Sequence, residues 1–397
     1  MNIKETSEKI NNWANKQKIP QVYRKMFIFI FGFFTFITML DYAFHSYGID
    51  YTHSLKAKML RSAMERVLSP SSESSFIRDL RKKAQREIDD AMDSTSFSVV
   101  LNAYKRPKQL RKGVQYYAES CGKKFGVNNI YIIWAEVGVP PPDPTSFFDS
   151  KDGSINRASV QIIQTTETSL NTRFEPIHEL EQHGLFLVDD DIQVACTSLQ
   201  RGFEAWKTSP LSLVGFYPRL IERRGNGQYS YRTWPMVYLK NTFHFILPTK
   251  AAFLHSKYMA AYSSESHPQE IKDMVDKYRN CEDIAMAFLI SNSTKYLPEK
   301  LSNPIFVEGK VWDAGVLSGI STNPKSKHYS TRSFCVNELI RIYDVNGWGF
   351  PLSELKLSDR VWLRHFPGYW WQTRPSSTFE WFATDVFSAI YDSIFVS

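Results

Sequence analysis

The feature that most constrains this chain is an apolar run ending in three acids. Residues 184 to 191 read Gly-Leu-Phe-Leu-Val-Asp-Asp-Asp. A short, continuous apolar run predicts a strand buried on both faces, as inside a parallel sheet. Ligands of open α/β sheets bind beyond the carboxyl ends of the strands, and Asp189, Asp190 and Asp191 stand there. Adjacent carboxylates repel one another unless a cation is shared among them. The Asp-x-Asp spacing lets Asp189 and Asp191 reach one hard divalent cation through oxygen, and such a cation takes further oxygens from substrate phosphates. The plain alternative is a solvated acidic turn after a buried strand.

Upstream, residues 1–25 are polar, with Lys4, Lys9, Lys16, Lys18, Arg24 and Lys25 set against Glu5 and Glu8. Residues 26–44 are apolar apart from Asp41. The run is short for a span, which needs ~20 residues in an average bilayer, but thinner secretory membranes accept shorter ones. The rival is a cleavable signal peptide, which would need small residues at a cleavage site; the sequence after Leu40 offers no clean Ala-x-Ala pattern. The basic flank predicts a cytoplasmic tail over 1–25, an anchor over 26–44 and a lumenal remainder. Residues 45–95 read as a stem, with a Ser-rich break at 69–75 and a charged, solvated helix over 76–92.

The globular part begins with a strand over 97–101. A helix over 109–121, strands over 129–134 and 160–163, and a loop with some helix over 170–182 precede the acidic strand. A helix over 197–207 and a strand over 213–216 follow it. Strands alternating with helices predict an α/β fold, a mostly parallel sheet flanked by helices. Beyond this the pattern loosens: strands over 237–239 and 243–247, a largely helical 269–290, a mobile loop over 317–322 and a helix over 334–343. The aromatic-rich end, 352–397, reads as packing against the domain, with lipid contact as the alternative. The net charge is +7, yet there is no compact basic block interleaved with aromatics, so nucleic acid is not a favoured partner. Gly-x-Gly-x-x-Gly and P-loop motifs are missing. The four cysteines lack zinc-finger spacing and fit one structural disulfide or none.

Several phrases together resemble one family, the exostosin-type glycosyltransferase domain. They are Val99-Val-Leu-Asn-Ala-Tyr-Lys-Arg-Pro107, Val188-Asp-Asp-Asp191, Phe203-Glu-Ala-Trp206 with Val214-Gly-Phe-Tyr-Pro-Arg219, Asn280-Cys-Glu-Asp-Ile-Ala-Met286, Ser318-Gly-Ile-Ser-Thr322 and Arg332-Ser-x-Cys335. Their order and spacing run from about residue 96 to residue 351. The resemblance implies a Rossmann-like GT-A fold, a nucleotide-sugar donor (usually uridine diphosphate-linked), Mn²⁺ or Mg²⁺, and retention of anomeric configuration. It also implies a glycan or glycolipid acceptor and a Golgi or endoplasmic reticulum membrane location; a homodimer is compatible with it. Arg106 would contact the nucleotide and Arg173 the donor phosphate or sugar. Asp189 and Asp190 would share ribose and metal contacts, with Asp191 the direct metal ligand. Glu282 and Asp283 would sit at the donor sugar and acceptor, as nucleophile or as orienting groups, and Arg332 would reach the reaction centre.

The resemblance further implies a Cys281–Cys335 disulfide; Cys196 is then expected as a buried free thiol. Asn292-Ser-Thr294 is a glycosylation sequon if the domain is lumenal. Trp134 is followed by Ala135 and Glu136 where the family often has Asn. The length leaves no room for a second large transferase domain, so alternating polymerisation is not expected. A sphingolipid-headgroup mannosyl- or glucosaminyltransferase is the nearest alternative. A tethered glycan-binding protein without turnover is the alternative of another class.

Overall fold

The computed structural model describes residues 75–149, 155–178, 180, 182–233, 242–307, 309–313 and 328–356. The expected tail, the anchor over 26–44, the stem before residue 75, the strand over 237–239, the loop over 317–322 and most of the aromatic end lie outside them. Among the described residues no helix is long and apolar enough to cross a membrane.

The elements run in order as α1 (Ser75–Met92), β1 (Phe97–Ala103), α2 (Pro107–Gln115), β2 (Val127–Trp134), β3 (Ser159–Gln164), β4 (Gly184–Asp189) and β5 (Ile192–Val194). Next come α3 (Cys196–Thr208), β6 (Val214–Gly215), β7 (Arg219–Arg223), β8 (Tyr229–Arg232), β9 (Thr242–Ile246) and β10 (Ala251–His255). The remainder is α4 (Lys257–Ser263), α5 (Gln269–Tyr278), α6 (Glu282–Thr294), α7 (Glu299–Ser302), β11 (Ile305–Phe306), β12 (Val311–Asp313), α8 (His328–Val345) and β13 (Glu354–Lys356).

The central sheet has seven strands in the order β11-β6-β10-β4-β1-β2-β3. Strands β4, β1, β2 and β3 run parallel, and β10 is antiparallel to β4 and β6. The expected mostly parallel sheet is therefore present, with β4 at its centre. Leu185, Phe186, Leu187 and Val188 are fully buried, because their alternating side chains enter two apolar layers. Gly184 opens β4 where a Cβ would stand 2.8 Å from the Trp206 ring, so the missing side chain admits the indole. A four-stranded sheet, β13-β9-β7-β8, and the β5–β12 pair complete the sheets of the described residues.

Three expectations are corrected. The helix over 109–121 changes pitch: α2 gives way to a π-helical turn over Tyr116–Cys121, closed by Gly122 N donating to Tyr117 O at 2.9 Å. That turn brings Cys121 to Cys196 at the start of α3, and the two form a disulfide, so Cys196 is not a free thiol. The helix over 76–92 is not merely solvated. Ala84, Ile88 and Ala91 are buried, Ala84 and Ile88 in one cluster with Leu211, Leu297 and Leu301, and Glu87 pairs with Lys257. A helix with few apolar residues can still dock when they recur on one face.

Candidate active site

The carboxyl end of β4 delivers the three acids. Asp189 ends the strand, opposite Asn102 of β1 in parallel register. Asp190 and Asp191 form the turn into β5. Arg106 lies against that turn. The chain reverses at Lys105, where φ is 55°, and the Glu136 carboxylate holds the reversed backbone by accepting from Lys105 N at 2.8 Å. Pro107 then opens α2, its fixed φ suiting the first helical position. Arg106 Nη1 reaches Asp190 Oδ1 at 3.1 Å and Asp191 Oδ2 at 2.6 Å.

Arg173 approaches from the other side, on a single 3₁₀ turn over Asn171–Phe174. Asn171 anchors this turn by donating to Lys272 O at 3.1 Å and accepting from Tyr262 Oη at 2.7 Å. Arg173 is buried and forked: Nη2 donates to Asp189 Oδ1 at 3.1 Å and Nη1 to Glu282 Oε1 at 3.1 Å. Burial opposes its charge, but Asp189 and then Glu282 outweigh that and hold its proton more tightly than usual.

Glu282 and Asp283 stand in the first turn of α6, because the helix expected over 269–290 breaks. Arg279 and Cys281 adopt positive φ, 46° and 79°, which ends α5 and restarts the chain as α6. Two carboxylates at a helix N-terminus are favoured by its dipole. Arg332 of α8 pairs with Asp283 through Nη2 and donates to Asn280 Oδ1 at 3.1 Å through Nη1, while its guanidinium lies 4.5 Å from the Tyr231 ring centroid. The expected Cys281–Cys335 disulfide is present and ties α6 to α8 beside this pair.

The two adjacent acids part in proton affinity. Burial pushes Glu282 up to about 7, with the neighbouring Asp283 adding to the shift against Arg173 and Arg332. Burial pushes Asp283 up too, but the charge and hydrogen bond of Arg332 prevail and hold it below the usual carboxylate range. Asp283 therefore keeps its charge while Glu282 is the first to take a proton. At the strand end, burial drives Asp190 up to about 7, against Arg106. Burial likewise raises Asp191, helped by the negative charges of Asp189 and Asp313.

All eight residues singled out from the sequence thus share one region. Arg106 joins Asp190 and Asp191; Arg173 joins Asp189 to Glu282; Arg332 holds Asp283. Asn102 Oδ1, Thr249 Oγ1, Arg173 Nε and Arg332 Nε are buried without a hydrogen-bond partner among the described residues. Such orphaned groups call for a ligand or water.

Sequence reasoning missed four contributors. Asn280 Oδ1 accepts from both Cys281 N and Arg332 Nη1, so its Nδ2 is the donor toward His328 Nδ1 at 3.2 Å. His328 consequently carries its proton on Nε2. Burial and then Arg332 push it down to about 4, so the ring is neutral. Asp313 and Lys250 pair at 2.9 Å near the acidic turn. Asn280 opens a motif that gave it no role of its own, and the other three sit in no local pattern: Asp313 follows an undistinguished Val-Trp, and the β5–β12 pairing brings it to the turn.

No group of three His, Cys, Asp or Glu forms a ready metal cage among the described residues. The donor set still fits a hard cation that substrate oxygens complete. Asp189 is partly exposed, and Asp191 is desolvated beside two like charges.

Acids at the end of a central strand, with a buried guanidinium relay behind them, define an α/β enzyme suited to stabilising a charged leaving group. Residues 97–354 match the glycosyl transferase family 64 domain. The chain belongs to that family and is a glycosyltransferase. It is 33% identical over 254 residues to glycosylinositol phosphorylceramide mannosyl transferase 1 of Arabidopsis thaliana, covering 62% of this chain and 71% of that protein. Over 305 residues it is 25% identical to human exostosin-like 2, covering 73% of this chain and 88% of that protein. Against glucosamine inositolphosphorylceramide transferase 1 of Oryza sativa it is 29% identical over 264 residues, 66% of this chain but 33% of that protein.

Proposed function

We propose that this glycosyltransferase moves one hexose or N-acetylhexosamine from a nucleotide sugar to a glycan or glycolipid, with retention of configuration and a divalent cation, on a GT-A type fold. The observation that carries the reading is the relay from Asp189 through Arg173 to Glu282, continued by Asp283 and Arg332. It joins the acidic strand end, where a diphosphate would sit, to a second acidic pair suited to the sugar and its acceptor. Asp191, with Asp189, would hold Mn²⁺ or Mg²⁺, which supplies positive charge to the leaving diphosphate.

The chain's own residues do the rest. The bond between the anomeric carbon and the phosphate oxygen breaks with its electron pair on oxygen. The acceptor hydroxyl oxygen bonds the same carbon from the same face, and its proton passes to the departing phosphate. Each acid of the second pair is engaged by a guanidinium, Glu282 by Arg173 and Asp283 by Arg332. Such engagement ties carboxylate oxygens of both acids into ion pairs, so the reading is front-face attack with both acids orienting hydroxyl groups. Arg332, charged in spite of burial, adds a fixed positive charge close to the acceptor side.

The names of two relatives favour a sphingolipid headgroup of the inositol phosphorylceramide kind as acceptor, and the apolar run at 26–44 favours a secretory membrane as the place of reaction. The test is transfer of labelled sugar from uridine and guanosine diphosphate sugars to inositol phosphorylceramide vesicles or to soluble oligosaccharides. Label in the lipid supports this acceptor, and label in the oligosaccharides alone refutes it. A protein that binds glycans but hydrolyses no donor would instead be the non-catalytic alternative.

A further inference from the structure

Lys250 occupies a place in the site that the relay does not use. It precedes β10, and its carbonyl accepts from Asp189 N at 3.1 Å, so its backbone is tied to the acidic strand end. On the other flank Asp313 is the β12 partner of Ile192, the residue directly after Asp191. The Lys250 ammonium lies between these elements. It donates to Asp313 Oδ2 at 2.9 Å and stands 3.6 Å from the centroid of the Tyr217 ring. Tyr217 Oη donates to the same Asp313 oxygen at 3.0 Å.

An ammonium has three N–H donors. The Asp313 bond uses one, and packing on a ring face uses none. The lysine side chain is 25% exposed, so the rest of its donor capacity stays within reach of a ligand. Asp313 would keep the Tyr217 hydroxyl if the lysine turned partly away. A flexible cation beside the acids, anchored at one point and able to shift, is suited to a mobile phosphate as a buried Arg is not.

We infer that Lys250 donates to the diphosphate of the nucleotide donor, with Asp313 and Tyr217 positioning its ammonium. This deepens the reading of the site as one that takes a nucleotide sugar, and it rests on that reading. The ligand class is a nucleoside diphosphate, and the contact matters more as more phosphate charge is present. It stabilises the ground-state complex and the leaving group alike, so its loss shows in binding as well as in turnover.

The experiment titrates the full-length protein with uridine diphosphate, guanosine diphosphate and the matching monophosphates by calorimetry, with Mn²⁺ present. Lys250→Met should weaken diphosphate binding by about tenfold to a hundredfold, the range of a charge-assisted hydrogen bond, and monophosphate binding much less. Lys250→Arg should restore most of the loss. Lys250→Gln keeps a donor for Asp313 without the charge, and should behave like Lys250→Met should that variant not fold. Unchanged diphosphate affinity in Lys250→Gln, or equal losses for mono- and diphosphates, would overturn the inference and leave the nucleotide-sugar reading standing. An unaltered protein that binds neither diphosphate would overturn that reading and this inference with it.

Discussion

Asp189 and Glu282 accept from the same guanidinium. Arg173 stands 3.1 Å from each, through different nitrogens. The first acid ends the central strand and the second opens a helix after a break, so Arg173 fixes the distance between the two halves of the site. Its planar fork does this as a lysine could not.

Arg173→Ala should therefore unfold the domain more easily. It leaves Glu282 buried with one partner fewer, and breaking a buried pair in this way costs about 3–5 kcal/mol. Urea unfolding of the unaltered protein and the variant measures it. A midpoint that does not move would show that Arg173 is not the bridge.

Glu282 gives the metal-free protein a pH dependence of definite sign. Its proton affinity is raised from 4.5 in the unfolded chain to about 7 in the folded one. The folded state then binds more protons across that window, so its stability is full below the lower value and declines as pH rises through the upper one. Asp283, shifted downward, acts only at lower pH. Asp190, raised to about 7, and His328, lowered to about 4, titrate in the same window with opposite signs, so Glu282 is read as a difference. The stability of the unaltered protein relative to Glu282→Gln, measured with chelator, should fall by on the order of 1–3 kcal/mol between about pH 5 and about pH 7. A steeper decline in the variant would reverse the assignment.

The disulfides Cys121–Cys196 and Cys281–Cys335 close loops of 75 and 54 residues. Each should stabilise the fold by about 4 kcal/mol in the chain-entropy model. Alkylation before reduction should label none of the four cysteines in protein made in an oxidising compartment, and all four after reduction. Labelling of Cys196 before reduction would restore the free thiol first expected there.

That expectation failed for a local reason, and other outcomes divide the same way. The strand at 184–189, the helix at 197–207 and the parallel core were legible because buried strands announce themselves as apolar runs. Cys196 pairs with Cys121 only because Tyr116–Cys121 widens to a π-turn, which periodicity does not reveal. The break at Arg279–Cys281 was hidden too, since positive φ in residues other than glycine leaves no compositional mark. Seven of the eight site residues lie in the ordered motifs and Arg173 was placed only by its position before the acidic strand, whereas His328, Lys250 and Asp313 depend on which elements meet; Asn280 stands in a motif that gave it no role. The sequon at Asn292 falls on α6 with Thr294 buried, a context that its three letters do not carry.

Arg332 should matter more for turnover than for binding. Arg332→Lys keeps the charge but loses the fork shared between Asn280 and Asp283. Per folded molecule, kcat should drop by about a hundredfold or more, on the scale of a lost transition-state donor, with donor affinity changed far less. Full kcat in Arg332→Lys would leave the residue a structural tie between α6 and α8.

The most direct measurement is donor hydrolysis, since it needs no acceptor. The purified full-length chain is incubated with a panel of uridine and guanosine diphosphate sugars, with Mn²⁺ or with chelator, and free sugar is quantified. The unaltered protein should release sugar from at least one donor only when Mn²⁺ is present. Asp191→Ala should release none while melting close to the unaltered protein. Sugar release by Asp191→Ala with full Mn²⁺ dependence would contradict the metal assignment, and no release from any donor by the unaltered chain would contradict the account of the site.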